Sequence, residues 1–573
     1  MSPALPRRST AAALLSGLVG TPSPDLTRRA KEAARRTMRA TVLPAPDKPR
    51  SMPEAQPVPT AVPSSRAVDA AYRPRAAARL VATPITSVRR PVSRVGSGTT
   101  SEATALHLAR RASFGATPAL VAEIQARGAA GWVADQLDPL RLVPDATCDA
   151  LVARLFPRLS LATWQVHDQY WPNSTGDLGT DVIESVVARA LWSKRQLLEV
   201  MVEFWTNHLV VTAPWGETWD SVHRFHVDVV RKHALGRFSD MLVASAKHPA
   251  MLAQLDNESS TKRAPNENFG REVLELHTVG VDGGYLESDI RRSALALTGM
   301  STDDESGEYY YRQIRHHVGS LSVMDWSHAN TSAQGEAVGV AYLQYLARHP
   351  KTARRIATKL ATRFVSDVPP ASLVTSLAAV YTANDTAIAP VLTALFSSAE
   401  FAASVGQKVK RPLERIISTS RILEVAPGPD TRAWLSGLVW YSRVAGQAPL
   451  GWPAPNGYPD VAAAWAGANA TLTAWNWTMS QGWTAVESPQ TEVTYPALRS
   501  LLPATLPATH GAMVDALALR LLQGPIPAAK RDAVCAFLDK TAASPLRSTD
   551  AAVGWRLPYV VALLLDTPEF ATR

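Results

Sequence analysis

Beyond residue 100, apolar positions recur at three- and four-residue intervals, the spacing that lines one face of an α-helix. The pattern holds over 104–137, 184–211, 219–247, 267–280 and 289–298. Gly128, Gly236 and Gly280 fall where such helices would stop; Pro118, Pro249 and Pro350 fall where helices start or are blocked. Residues 301–335 break the pattern. There Tyr309-Tyr310-Tyr311 and the alternation around it predict a hairpin or an irregular insertion. Helical spacing returns over 336–423 and again from 511 onward. The stretch 447–495, rich in Trp, Pro, Gly and Asn, reads as a long ordered loop. The expectation is therefore a mainly α protein, a multi-helix array with a short irregular or hairpin insertion and long ordered loops. Its parts would be a leader over 1–100, a helical domain over 101–300, the insertion over 301–335 and a second helical region over 336–573.

That second region carries an internal echo. Leu360-Ala361-Thr362-Arg363-Phe364-Val365 resembles Leu517-Ala518-Leu519-Arg520-Leu521-Leu522, and each precedes a proline-containing break. Further on, Leu395 to Phe401 resembles Leu564 to Phe570. Two matches in the same order predict a duplicated helical unit, against chance similarity between Ala/Leu-rich helices.

Charge changes the picture of the first hundred residues. The chain of 573 residues holds 59 Lys plus Arg and 50 Asp plus Glu, of which 17 and 5 lie in residues 1–100. The remaining 42 basic and 45 acidic groups leave the rest close to neutral. Basic, Pro-rich and poorly apolar, the leader reads as a disordered tail. A nucleic-acid function would need a basic face on the folded part, and nothing in the totals points to one. Arg7-Arg8 before Ser9–Gly20 resembles a twin-arginine export signal, but no clean small-residue cleavage site follows, and a basic helical stretch runs over Leu26–Ala40. Export to the cell envelope and retention in the cytoplasm both stay open. No run of about 18 apolar residues exists to span a membrane. Two cysteines, Cys148 and Cys535, exclude a disulfide framework and a cysteine-based zinc cluster.

The densest candidate chemistry lies in Pro265–Tyr285, PNENFGREVLELHTVGVDGGY. On an α-helix, Asn268, Glu272 and Glu275 share a face with Arg271 beside them, and His277 falls toward Val273 and Leu274. Two carboxylates three residues apart can hold a divalent ion or share a proton. His277 would add a nitrogen ligand. Three readings stand together: an ion-pair network in which Arg271 neutralises Glu275 or Glu267; a metal site; and a metal-free acid–base or substrate site. A second group, Glu203-Phe204-Trp205-Thr206-Asn207-His208, ends an apolar helix and suggests a pocket wall, or else a cap and a satisfied core histidine. His223 and His226, three apart, are a weak pair of candidate metal ligands. His316-His317 could close a site, although adjacent side chains diverge. Asp282-Gly283-Gly284 reads as a tight turn. Phosphate-binding, dinucleotide and GxSxG motifs are absent from the sequence. Trp452, Trp465, Trp475 and Trp477 could stack on sugar rings or anchor a long loop.

Six blocks resemble the bacterial family known as domain of unknown function 1800: HLARRASFGATPALV (107–121), MVEFWTNHLVV (201–211), HALGRFSDMLVASAKHPAML (233–252), the 265–285 segment, RHPKTARRIATKLATRFVSD (348–367) and KVKRPLE (408–414). The resemblance implies no established reaction. It does imply exported proteins that accompany sulfatase-like partner proteins. The chain departs from the family where an acidic residue, an arginine and a Trp usually stand, with Arg292, Leu295 and Met300, and at His317-Val318-Gly319, which lacks an aspartate. The site expected from sequence gathers Asn207, His208, Glu267, Asn268, Glu272, Glu275 and His277 around one pocket with Arg271 as charge partner. His208, Glu272, Glu275 and His277 are the candidate ligands of a divalent metal. An enzyme acting on an envelope polymer or sugar is one class; a non-catalytic assembly or carbohydrate-binding protein is the other.

Overall fold

The computed structural model describes residues 100–170, 177–213, 218–485 and 491–573. The leader, with its Arg7-Arg8 segment and the basic stretch 26–40, lies outside the described residues. The described chain is mainly α, with short antiparallel strand pairs. Among its helices none is long and apolar enough to cross a membrane.

Helix α1 (Glu102–Ala112) begins where the Ser101 hydroxyl accepts the Thr104 N–H at 3.2 Å, a side-chain cap for an otherwise orphan donor. The pattern over 104–137 is three helices rather than one, because the chain breaks after Ala112 and again at Gly128. The pattern over 184–211 likewise divides into α2 (Asp177–Trp192) and α3 (Gln196–Thr206). Between them the Asp145 carboxylate accepts from Ser193 Oγ and Lys194 N, both at 2.8 Å, and fixes the turn. Pro118, Pro249 and Pro350 each occupy the first turn of a helix, where a missing N–H costs nothing.

Helix α4 (Glu267–Glu272) continues as a π-helical turn over Val273–His277, then the chain turns into α5 (Glu287–Ala296). The expected irregular insertion holds two antiparallel pairs: β1 (Met300–Thr302) with β2 (Tyr309–Tyr311), and β3 (Leu321–Val323) with β4 (Trp326–His328). Met300 faces Tyr311, and Val323 faces Trp326. A third short pair joins β5 (Ala426–Pro427) to β6 (Val493–Thr494).

Helix α6 (Pro350–Phe364) buries Ala353, Ile356, Ala357, Leu360, Ala361 and Phe364. Arg363 is buried on the same stripe, a departure from simple amphipathicity that matters below. Helices α7 (Pro412–Ile422), α8 (Thr431–Val444) and α9 (Ala468–Thr484) follow. Helix α9 corrects the expectation of a loop throughout 447–495. Its Thr, Asn and Trp residues are weak helix formers, but packing on α7 and on Leu557–Leu565 overrides that preference. Thr473, Ala474, Trp477, Thr478 and Gln481 make the buried stripe, and Trp477 Nε1 donates to Ile416 O at 3.1 Å.

The echoed segments each hold three α-helices and a short fourth, and the second set adds a 3-10 turn over Ala551–Val553. One set runs 350–364, 371–383, 388–396 and 399–402; the other runs 510–521, 528–537, 557–565 and 568–571. Their ends meet as an antiparallel bridge: Lys410 N donates to Ala571 O, and Arg573 N to Lys408 O, each at 2.8 Å. This bridge brings Lys408, Arg411 and Arg573 to one place. The main core contains Trp205, Phe238, Phe269, Leu274, Tyr342, Leu360, Phe364 and Leu413. A second cluster, with Leu517, Leu521, Val560 and Leu564, reaches Ile422 and Leu423 at the end of α7. Each such buried Leu or Phe contributes roughly 1.5–3 kcal/mol of transfer free energy.

Candidate functional site

The charged segment at 267–277 starts with a cap, since Asn266 Oδ1 accepts the Phe269 N–H at 3.1 Å. Gly270 then lies against α5. A Cβ there would meet Ala294 N at 2.7 Å, and Ser293 Oγ donates to Gly270 O at 3.0 Å. Phe269, Val273 and Leu274 are fully buried, so the charged groups turn outward. Arg271 pairs with Glu275 at 3.3 Å and with Glu287 at 2.5 Å, and Glu267 pairs with Arg291 at 3.3 Å. Glu275 also accepts the Tyr285 hydroxyl at 2.6 Å. Asn268 is exposed. The wider π turn after Glu272 means that Glu275 and His277 do not keep the α-helical phase assumed from the sequence. Glu272 is half-buried, and partial desolvation followed by the neighbouring Glu275 charge raises its pKa.

His277 is buried, and its carbonyl accepts His208 Nε2 at 3.1 Å. A carbonyl can only accept, so Nε2 carries the proton and Nδ1 of His208 presents a lone pair. Lys359 Nζ donates to that Nδ1 at 2.8 Å. Both ring nitrogens are thereby engaged, and neither is free for a metal in this arrangement. Desolvation, then Lys359 and Arg355, hold the His208 pKa well below its ordinary value. Desolvation followed by the same two cations lowers that of His277 to about 3. Among the described residues no three His, Cys, Asp or Glu side chains converge as a metal site.

Lys359 opens onto a cavity of about 440 Å³ between the end of α3, the middle of α6 and residues 452–460. Its walls include Glu203, Asn207, Lys359, Arg363, Arg411 and Trp452. The loop is clipped to α3 by a reciprocal pair. Asn207 Nδ2 donates to Tyr458 O at 2.7 Å, and Tyr458 N donates to Asn207 Oδ1 at 2.6 Å. Gly457 lies in the left-handed region at φ +74°, and a Cβ there would sit 2.0 Å from Asn207 O. Only glycine fits that close approach. Trp452 stands against Tyr458 with ring centroids 4.7 Å apart, and its Nε1 donates to Asn456 Oδ1 at 2.7 Å.

Beneath the cavity lies a buried ion network. Arg411 bridges Glu203 at 2.6 Å and Glu414 at 3.3 Å. Glu414 also receives Arg363, and Arg573 at 2.8 Å. Lys408 joins Asp367 at 2.6 Å to Asp460 at 3.2 Å. The side chains of Arg363, Arg411, Lys408 and Arg573 are only 1–3% exposed. Burial pushes the Glu414 carboxyl up, but Arg363, Arg573 and Arg411 override it and hold the pKa well below the carboxylate range. Asp460 is held down against burial in the same way by Arg411, Arg363 and Lys408.

Lys359 differs from these cations. Among the described residues no carboxylate lies within ion-pair distance of it, and its partner is the neutral His208. Burial, then Arg355, lower its pKa to about 7, with Asp460 pulling the other way. Lys359, Arg363, Lys408, Arg411 and Arg573 thus face Glu203, Asp367, Glu414 and Asp460, five cations against four carboxylates. Counted by side chains, the cleft is short of one negative charge.

Of the residues singled out by sequence, the structure gathers Asn207, Glu203 and Trp452 on the cavity wall, with His208 and His277 behind Lys359. Glu267, Asn268, Arg271, Glu272 and Glu275 are not among its lining residues. His223 Nε2 donates to Leu161 O at 2.8 Å, and His226 is buried with its pKa pushed down by desolvation. His316 is fixed between Thr298 O and Asn330 Oδ1, each at 2.9 Å. Trp477 is core, Trp465 packs near Tyr458 and Trp475 is exposed. Lys359, Arg363, Arg411, Glu414 and Asp460 were missed. One signal could have found Arg363: it follows Ile356 and Leu360 at helical spacing, a charge on the apolar stripe.

Residues 107–572 match the family model described as protein of unknown function, DUF1800. No curated protein and no solved structure matches the chain.

Proposed function

We propose a function for this chain, which belongs to the DUF1800 family, from its cleft: it binds a small anionic sugar, one bearing a carboxylate, sulfate or phosphate. The observation that carries this reading is Lys359, a cation without a carboxylate partner among the described residues, on the wall of a cavity of about 440 Å³. A ligand anion would supply the negative charge that the network lacks. The flat faces of Trp452 and Tyr458 suit the apolar side of a pyranose ring, and Asn207 and Asn456 add polar groups to the same wall. This keeps the sugar class expected from the Trp-rich segment and moves the binding groups from the central helix to the cleft.

A metal-dependent reaction on an envelope polymer at His208, Glu272, Glu275 and His277 has weaker support, because His208 would have to release Lys359 or the His277 carbonyl. A non-catalytic role for the central helix has its own support in the outward pairs of Arg271 and Glu267. The sulfatase-like partner implied by the family resemblance would be tested by co-purification.

The experiment is calorimetric titration of the full chain with glucuronate, a sugar sulfate and a sugar phosphate. Binding of at least one, lost in Lys359→Met, is expected. Affinity falls as pH rises through about 7, because the anion favours protonated Lys359. Failure of all three to bind, or equal binding by Lys359→Met, removes this reading.

A further inference from the structure

The amine of Lys359 is placed for more than charge. It projects from α6 onto the cleft wall, where a ligand carbonyl can reach it. One of its hydrogens is committed to His208 Nδ1, whose tautomer is fixed by the His277 carbonyl on the far side of the ring. That bond sets the direction of the nitrogen. Burial beside Lys359, Arg355 and His277 disfavours a second proton on His208. The ring is therefore an acceptor that positions the amine and not a base.

The charged groups around Lys359 are as unusual as its direction. Arg355, one turn earlier on α6, donates to Leu276 O at 3.2 Å and brings a second positive charge, with no ion pair to a carboxylate among the described residues. Arg363, one turn later, is already committed to Glu414. From the 452–460 loop comes Asp460, which is shared among Lys408, Arg363 and Arg573. From α3 comes Glu203, committed to Arg411. Each carboxylate that faces the cleft is thus already paired. A lysine desolvated beside another cation, with no counter-ion of its own, is an activated amine.

Building on the cleft reading above, we propose that Lys359 is a nucleophile that condenses with the carbonyl group of an oxo acid or an aldehyde sugar acid to form an imine. The nitrogen lone pair attacks the carbonyl carbon, a C–N bond forms and the carbonyl π pair moves onto oxygen. Both hydrogens of the free amine then leave with that oxygen as water, and the C=N bond remains. No oxidant or reductant takes part. The ligand carboxylate meets the cation excess of the cleft, which holds the carbonyl close to the amine. Lysine pKa values near 7 match this chemistry, since a large share of the amine is then free at neutral pH.

The test uses the full chain at pH 7 with glyoxylate, the smallest aldehyde acid, and cyanoborohydride to trap the imine, followed by peptide mapping. Glucuronate binding is measured in parallel without reductant, and glucuronate serves as protector. Lys359 is expected to be modified at least about tenfold faster than the exposed Lys232 and Lys262, and glucuronate slows it. Lys359→Arg removes the primary amine, so no adduct forms at this site while labelling of Lys232 and Lys262 continues. Glucuronate binding without preferential labelling of Lys359 overturns the imine and leaves the anion cleft standing. Preferential labelling without glucuronate binding or protection supports the reactive amine and overturns the anion cleft. Neither binding nor labelling overturns both.

Discussion

The charged segment at 267–277 and the cleft between α3, α6 and residues 452–460 are built from the same residue types, and they differ in where the charge goes. In the segment, Arg271 is 36% exposed and its partner Glu287 74%, while Arg291 and Glu267 are 63% and 44% exposed. In the cleft, Arg363 and Glu414 are 1% and 5% exposed. Exposed pairs are worth about 0–1 kcal/mol. A buried pair that loses one partner leaves an uncompensated charge, which costs about 3–5 kcal/mol. Density of charge along the chain therefore marks the cheaper region. The costly network is assembled from Glu203, Arg363, Asp367, Lys408, Arg411, Glu414, Asp460 and Arg573, which come from five separate stretches of the chain.

The largest expected effect breaks this contrast if it fails. Arg411→Ala strands Glu203 and shifts the burden of Glu414 onto Arg363 and Arg573, so a loss of about 3–5 kcal/mol is expected. Arg271→Ala in the charged segment should lose less than about 1 kcal/mol. Urea unfolding followed by far-UV circular dichroism compares the two directly. Equal losses would mean that the outward pairs carry the stability attributed to the cleft.

Next in size is Lys359→Met, which isolates the cation without a counter-ion. The folded pKa of Lys359 is lowered from 10.5 to about 7. Between those values the unfolded chain binds more protons than the folded one, so the native protein gains stability as pH rises from about 7 toward 10.5. Below about 7 the native state carries the whole cost of a charged, desolvated amine. The variant should therefore unfold at higher temperature than the parent at pH 6, with the advantage fading toward pH 10.5. A difference that does not change with pH would show that Lys359 is solvated and that the cleft is not short of negative charge.

The mainly α character was readable because apolar spacing repeats over most of the chain, and proline starts such as Pro118 and Pro350 held. Helix α9 was not, because Thr471, Trp475 and Asn476 disfavour a helix locally while packing of Trp477 on α7 favours it. The candidate site was half legible. Asn207 and His208 stood out as polar groups closing an apolar helix. Lys359 looked like any solvent-facing lysine in a basic helix, since its setting depends on residues from three other parts of the chain. His277 was read toward Val273 and Leu274 and is buried with them, while the π turn that carries it leaves no plain mark in the sequence.

Trp452→Ala sharpens the contrast at its binding end. Trp452 touches Tyr458 and Asn456 at the mouth of the cleft and takes no part in the ion network. The unfolding midpoint should stay nearly unchanged, while affinity for a sugar anion falls about tenfold, the size of one aromatic contact. Calorimetry of the variant against glucuronate and against inorganic sulfate separates ring stacking from charge. A loss confined to glucuronate places the sugar face on Trp452; equal losses for both anions would place the tryptophan in support of the loop instead.

The smallest effect is expected where the sequence pointed most strongly. Glu272 has a raised pKa, and its Oε2 is buried without a hydrogen-bond partner. Below pH 4.5 the carboxyl is protonated in folded and unfolded chains alike, so Glu272→Gln should leave stability unchanged there. Above the raised folded value the native state bears the charged form at a cost, which the neutral amide avoids, and the variant should be more stable by less than about 1 kcal/mol. Thermal unfolding at pH 4 and pH 8, with elemental analysis of both proteins after purification with divalent metal supplied, checks the sign. A variant that folds but loses a stoichiometric metal, or one destabilised at pH 8, would return the functional centre to the 267–277 segment and leave the cleft network as scaffold.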